Sequence, residues 1–366
     1  MRIIFKAVLP VLLAGWFSHR VMAGNIDRAG QAGASHLLIN PWARSSGWHT
    51  AGTANTQGLE ATFANVAGLA FAPRTEILVA HTRWLIGSDV TINAFGLAQR
   101  LGKNGGVLGL AVTSLNYGNI LITNENNPEG TGGYFSPRFL NVGLSYARSF
   151  SDKIHGGVTF RVINEAIANV SAAGFAIDAG VQYVTNLGAG ELKKENFVFG
   201  ITLRNIGPRM RYNGDGLSTS ATLPTGATLT AQQRSSDFEM PALLNVGVMY
   251  RWRFNMANKL TFAGAFQSNS FTRDQVILGL EYSWKDILML RGGYAYERGI
   301  MTRDRGALNS NLLNAFTGPA AGATVNIPLG KSEQEKKFKP RFGLDYSFRA
   351  TYAFGGTHTF GARLAL

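Results

Sequence analysis

The chain has 366 residues, a formal net charge of +13, 45% hydrophobic residues and no cysteine. The missing cysteines exclude a thiolate nucleophile, a Cys-ligated metal and a disulfide framework, and a chain this long can bury enough surface to fold without staples. The basic excess forms no Lys/Arg block of the kind that tracks phosphates, so nucleic acid is not an expected partner.

The first residues read as a secretory leader. Arg2 and Lys6 make a basic start, Ala7 to Phe17 an apolar run, and Val21-Met22-Ala23 a small-residue cleavage site, so residues 1–23 are expected to be removed after Ala23. The apolar run is shorter than the roughly 20 residues that span a bilayer as a helix. Arg2, Lys6 and Arg20 would leave with it. For an exported chain the acidic partners to expect are lipid, lipopolysaccharide, anionic sugars or another protein. No later stretch is apolar enough for a transmembrane helix, which leaves a closed barrel as the one way to span.

Residues 24–75 do not alternate. They are rich in Ala, Gly, Ser, Thr and Asn, with short helices expected over Ala32 to Asn40 and Phe63 to Ala70, and they read as a segment lying in or below a barrel. From Glu76 to the end, runs of about ten residues alternate with period two, as strands do when one face meets lipid and the other a lumen. Leu140, Val142, Leu144 and Tyr146 alternate with Asn141, Gly143, Ser145 and Ala147, and Val246, Val248, Tyr250 and Trp252 with Asn245, Gly247, Met249 and Arg251. Phe197 to Arg204 and Arg341 to Phe348 repeat the pattern. The second row is mostly Gly, Ala, Ser and Asn, which suits a packed or narrow interior.

Strands are expected near residues 77–85, 88–99, 105–117, 138–149, 154–165, 173–184, 195–205, 242–253, 258–267, 273–282, 287–296, 317–328, 339–349 and 355–366. The fold class is therefore all-β: a transmembrane antiparallel outer-membrane β-barrel of about fourteen strands over residues 76–366, with a partly helical N-terminal plug. The three longest connections, Gly118 to Pro137, Ile206 to Pro241 and Glu297 to Phe316, follow odd strands. With both termini periplasmic, all three are extracellular. Phe360, Ala362, Leu364 and Leu366 end the chain as an apolar row resembling the terminal strand signal of such barrels.

Catalysis finds little support. The six His residues show no metal-binding spacing, no GxSxG elbow frames a serine, and neither a cofactor nor a metal is expected. An embedded hydrolase would need Ser, His and Asp or Asn brought together by the fold alone. Trp84, Tyr117, Tyr183, Tyr250, Trp252, Tyr282, Trp284, Tyr294 and Tyr296 sit toward strand ends, as interfacial girdles do. The longest loop opens with Asn205-Ile206-Gly207-Pro208-Arg209-Met210-Arg211-Tyr212 and closes on Phe238-Glu239-Met240-Pro241, reading either as a disordered loop or as a docking element.

The runs Trp42-Ala43-Arg44-Ser45-Ser46-Gly47-Trp48 and Phe63-Ala64-Asn65-Val66-Ala67-Gly68-Leu69-Ala70 resemble the GARAxGMGGA…WNPAGLA opening of the PorV/PorQ family, whose barrels are similar to the FadL-type fatty-acid channel. Val66 stands where that family has Pro, and Trp48-His49-Thr50 where it has Met-Gly-Gly. Gly143 to Ala147, Asn205 to Met210 and Leu290 to Tyr294 extend the match. The resemblance implies a fourteen-stranded barrel and a non-enzymatic role in type IX secretion, with a translocon protein and secreted cargo as partners. Tyr134, Phe135, Pro208, Arg209, Arg211, Phe238 and Met240 are then the expected partner-binding residues. The alternative is a FadL-like transporter of hydrophobic small molecules, with the N-terminal segment as a hatch and a kinked strand opening sideways to lipid.

Overall fold

A computed structural model describes residues 24, 26–102, 105–300, 315–329, 340–352 and 354–366. The leader expected over residues 1–23 lies outside the described residues. Eighteen strands follow in chain order: β1 Thr75–Trp84, β2 Val90–Arg100, β3 Val107–Asn116, β4 Ile120–Leu121, β5 Tyr134–Phe135, β6 Arg138–Ser149, β7 Ile154–Ile167, β8 Val170–Thr185, β9 Phe197–Ile206, β10 Ser218–Thr222, β11 Thr228–Gln232, β12 Leu243–Arg253, β13 Asn258–Asn269, β14 Gln275–Trp284, β15 Leu288–Glu297, β16 Phe316–Pro328, β17 Arg341–Thr351 and β18 Thr357–Ala365. Fourteen of them close one antiparallel barrel; β4 with β5 and β10 with β11 form small hairpins in the loops. The barrel closes where β1 meets β18, with Glu76 opposite Ala365 and Arg83 opposite His358.

Alternation decides which way each side chain points. Leu144 and Phe160 lie on the exposed outer face, while Ser145 and Thr159 are buried and share a hydrogen bond of 2.8 Å. The outer apolar row meets lipid instead of water, as in a spanning barrel. Among the aromatics, Tyr183, Trp252, Tyr282, Trp284 and Tyr296 are exposed on that face. Trp84 and Tyr117 differ from the girdle expectation. They turn inward at the barrel mouth, where Trp84 meets Phe316 edge-on at 5.3 Å and Tyr117 meets Phe139 at 5.1 Å.

Residues 24–73 fill the lumen. Short helices at Ala43–Ser46 and Ala61–Ala64, and 3-10 turns at Ser35–Leu38, Ala51–Thr53 and Val66–Phe71, carry Leu37, Trp42, Trp48, Leu59 and Leu69 into burial. The small inward residues of the strands make this possible. A Cβ added at Gly293 would lie 2.4 Å from the Trp48 Cα, and one at Gly180 would lie 2.0 Å from the Asn65 Oδ1. Any larger side chain there would drive the plug off the wall.

Connections after β1, β3, β7, β9, β13, β15 and β17 gather at one end, here the long-loop end; the tight turns gather at the other. Most of the connection between β15 and β16 lies outside the described residues. One expectation is corrected. The N-terminal segment threads the lumen lengthwise, so Gly24, whose N–H donates to Asp274 Oδ2 at 2.7 Å, stands at the long-loop end, whereas Leu366 pairs with Thr75 at the short-turn end. The two ends of the described chain therefore do not share a side.

Candidate functional site

The wall is irregular where β9 leaves it. Ile177 pairs with Ile206 and Ala179 with Leu203, so Asp178 alone faces both Arg204 and Asn205. This is a bulge, which re-aims a strand and ends its pairing. Asn205 takes φ +59°, a left-handed conformation that Asn tolerates better than most residues. Its N–H donates to Asp178 Oδ1 at 2.7 Å, and its Nδ2 donates to the Pro241 carbonyl at 3.0 Å. Asn205 thus holds both ends of the long loop together.

Next to the bulge lies a cleft of about 340 Å³ at the long-loop rim, above the first residue of β12. Its apolar surface comes from Ile206, Pro208, Met240, Ala242 and Phe271. Ile206 belongs to the outward row of β9, and Ala242 immediately precedes β12 in phase with its exposed Leu244, so the cleft borders the outer, lipid face. Met240 also belongs to a buried cluster with Leu37, Ile163 and Met210, so the same side chain touches the cleft and the apolar interior. Gly207 permits this closeness: a Cβ there would lie 2.1 Å from the Phe175 carbonyl oxygen and 2.4 Å from Met240 Cε.

The rim is charged. Glu239 accepts from Arg28 and from Arg209, each at 2.8 Å, and the Arg28 guanidinium lies 4.1 Å above the Phe271 ring. The hydrogen bond from Arg28, reinforced by Arg209, holds the Glu239 carboxyl below the usual range. Arg211 donates to Asp237 at 2.5 Å and holds that carboxyl low likewise. Backbone pairing adds to this stitching, with Gly33 N–H on the Glu239 carbonyl at 3.0 Å and Met210 and Phe238 exchanging both bonds at 2.9 and 2.8 Å.

Of the residues singled out in the sequence, Pro208, Arg209 and Met240 line this cleft. Phe238 packs against Tyr212 and over Gly33, and Arg211 occupies its ion pair. Tyr134 and Phe135 are not part of it; they pair with Ile120–Leu121 in the β4–β5 hairpin, where Tyr134 is exposed. Arg28, Ala242, Ser270 and Phe271 were missed, because nothing in a linear reading brings those segments to one rim. Glu239 carried a signal, being flanked by Phe238 and Met240.

Deeper in, polarity divides the lumen. Toward the long-loop end two apolar clusters, Leu37, Ile163, Met210 and Met240 in one and Val90, Ile92 and Leu115 in the other, the latter joined by Ile39, Trp84, Tyr117 and Phe139, lie among buried polar groups that pair within the protein, such as His36 with Glu165 at 3.1 Å and Arg161 with Asp178. Toward the short turns the lumen is charged, with Arg44, Glu60, Glu76, Arg251, Lys259, Glu281, Asp286, Arg341 and Arg363 around a second cavity. Among the described residues no group of three His, Asp or Glu side chains is placed to hold a metal ion.

No family model matches the chain, and no curated protein matches it. Its fold resembles solved structures. The Ralstonia pickettii toluene transporter TbuX aligns with a TM-score of 0.50 at 14% identity, covering 89% of this chain and 97% of that one. The chain shares with it the fold of a closed antiparallel β-barrel. The Pseudomonas putida toluene transporter TodX aligns at 15% identity over 84% of this chain and 92% of its own, with a TM-score of 0.48. A Pseudomonas aeruginosa FadL homologue aligns at 11% identity over 89% and 96%, with a TM-score of 0.46.

The expectation of a type IX secretion role is corrected by this likeness, because the fold matched is that of a toluene transporter. The structure also shows why the motifs misled. Asn65 to Ala70 docks the plug on the wall, Gly293 makes room for the plug, and Asn205 to Gly207 shapes a strand exit. These are requirements of a plugged barrel, and they carry no information about a secreted cargo.

Proposed function

We propose that this FadL-like barrel transports hydrophobic small molecules across the outer membrane, without a catalytic step. The observation that carries the reading is the polarity of the lumen together with the cleft. An apolar solute arriving at the long-loop end meets the two apolar clusters there, then a charged short-turn half in which every polar group would lose water without gaining a partner. The low-cost way out is sideways. Met240 links the apolar interior to a cleft that borders the lipid face, beside a bulged strand whose pairing has already ended. The plug then serves as the hatch that keeps water and polar solutes out.

The test is uptake by cells that lack hydrocarbon channels of their own. Cells carrying this chain are expected to take up a radiolabelled monoaromatic hydrocarbon faster than cells carrying an empty vector, while a sugar of similar size enters both at one rate. Equal hydrocarbon uptake at confirmed outer-membrane abundance would refute the proposal.

A further inference from the structure

The cavity at the short-turn end has no part in carrying an apolar solute. It holds about 350 Å³ and is open on the short-turn side, between Arg44, Trp48, Thr56 and Glu60 of the plug and inward residues of β12 to β18 and β1. Both signs of charge line it, but they are placed differently. Glu60, Glu76 and Glu281 are buried in its wall, each with one oxygen engaged: Ser45 N–H donates to Glu60 Oε2 at 2.7 Å, Leu59 N–H to Glu76 Oε2 at 2.8 Å, and Arg291 Nε to Glu281 Oε2 at 2.9 Å, while Glu60 Oε1 has no partner among the described residues. Asp286 is matched by Lys259 at 2.5 Å, and Arg44 reaches Glu281 at 3.9 Å.

The remaining cations are less satisfied. Arg251 donates to Asn55 Oδ1 at 3.3 Å and Arg363 to Asn326 Oδ1 at 2.9 Å, both neutral acceptors. Among the described residues neither they nor Arg341 has a carboxylate within 4.0 Å, and all three remain at least partly accessible. Arg341 and Arg363 face inward on adjacent strands, Arg341 opposite Ala365 and Gly343 opposite Arg363. Two further donors in the same wall, the Trp48 indole N–H and the Thr56 hydroxyl, have no hydrogen-bond partner among the described residues.

We infer that this vestibule binds a compact multivalent anion, a phosphate or a small polycarboxylate, entering from the short-turn side. Guanidinium groups match such ligands in pairs of hydrogen bonds, and several of them converging in a narrow mouth select for anions. Of the lining carboxylates, Glu60 and Glu76 each accept from plug backbone, Glu281 is engaged by Arg291 and Asp286 by Lys259, which leaves Arg251, Arg341 and Arg363, among the described residues, as the cations free to meet an anion.

Calorimetric titration of the purified full-length protein in a maltoside detergent, at fixed ionic strength, with citrate, inorganic phosphate and acetate tests the inference. Citrate, phosphate or both are expected to bind while acetate gives no saturable heat, and the stronger of the two identifies the source as polycarboxylate or phosphoryl. The double variant R251Q/R363Q is expected to weaken that binding at least about ten-fold, the loss of one or more charge-assisted hydrogen bonds. Citrate and phosphate heats no larger than those of acetate would overturn the inference, as would unchanged affinity in the double variant. The three-anion comparison on the unaltered protein stands even if the variant fails to fold.

Discussion

Asn65 ties the plug to the wall with a single amide. Its Nδ2 lies 3.0 Å from the Thr53 carbonyl, 3.1 Å from that of Val181 and 3.3 Å from that of Ile201, while its Oδ1 accepts from Ala67 N–H at 3.1 Å. The room for this comes from Gly180 and Gly200 on the facing strands. Asn65→Ala leaves buried carbonyls without a donor and is expected to cost about 3 kcal/mol, at roughly 1 kcal/mol or more for each lost bond. The midpoint of thermal unfolding in detergent measures this, and a midpoint unchanged from the natural protein would show that the plug does not depend on Asn65. Trp42 makes the matching apolar case. It is almost wholly buried in the cluster formed with Leu59, Phe63 and Leu69, so Trp42→Ala is expected to cost about 3–5 kcal/mol by the same readout.

At the scale of elements, the long loop is fastened to the N-terminal segment by the Arg28–Glu239 pair and closed on itself by the Arg211–Asp237 pair, and acid should release both. The Arg28 hydrogen bond holds Glu239 below the usual carboxylate range, and the Arg211 hydrogen bond does so for Asp237. A carboxyl depressed in the folded state contributes stability above its unfolded pKa of about 4 and loses that contribution as pH falls through the folded value. Hydrogen-exchange protection of the Gly33 and Met210 amides, which pair with Glu239 and Phe238, is therefore expected to be equal at pH 7 and pH 5 and to fall below about pH 4. Glu239→Gln should lower that protection already at pH 7. Protection that ignores both changes would mean the backbone bonds alone hold the loop. The pairs are surface-exposed, so the effect is local and leaves the barrel intact.

How much of these elements could be read in advance follows from the physics of each. Strands β1 to β3, β6 to β9 and β12 to β18 all begin and end within about three residues of the expected spans, because lipid on one side and a plug on the other impose a strict period of two. Positions such as Gly180 and Gly293 appeared in the sequence only as members of a small inward row, and the plug explains why that row is small. The cleft was half legible. Pro208, Arg209 and Met240 flank one loop and stood out together, whereas Arg28 and Phe271 reach the rim only through the threading of the N-terminal segment and the β13–β14 turn. The inward turn of Trp84 escaped because strand-end position does not say which face a ring takes. The secretion reading failed for a related reason: its motifs mark plug contacts that any barrel of this build needs.

For the whole molecule, function rests on a division of polarity that no single strand displays. Accessible guanidiniums crowd the short-turn mouth, while the long-loop half of the lumen sets two apolar clusters of Leu, Ile, Val, Met and aromatic side chains beside buried groups such as Arg161 with Asp178 and His36 with Glu165. An apolar solute therefore finds apolar clusters at one end of the closed wall and accessible charge at the other. The most direct test of the transport account is the rate at which cells take up a radiolabelled monoaromatic hydrocarbon through the natural protein and through the Ala242→Asp variant, at matched outer-membrane abundance. Ala242 lines the cleft on the lipid side and forms no part of the plug, so a carboxylate there should block the apolar doorway without disturbing the hatch. The account predicts hydrocarbon uptake reduced about ten-fold or more, from the roughly 1.4 kcal/mol or greater cost of bringing an apolar solute past a charge. Uptake by the variant equal to that of the natural protein would contradict it.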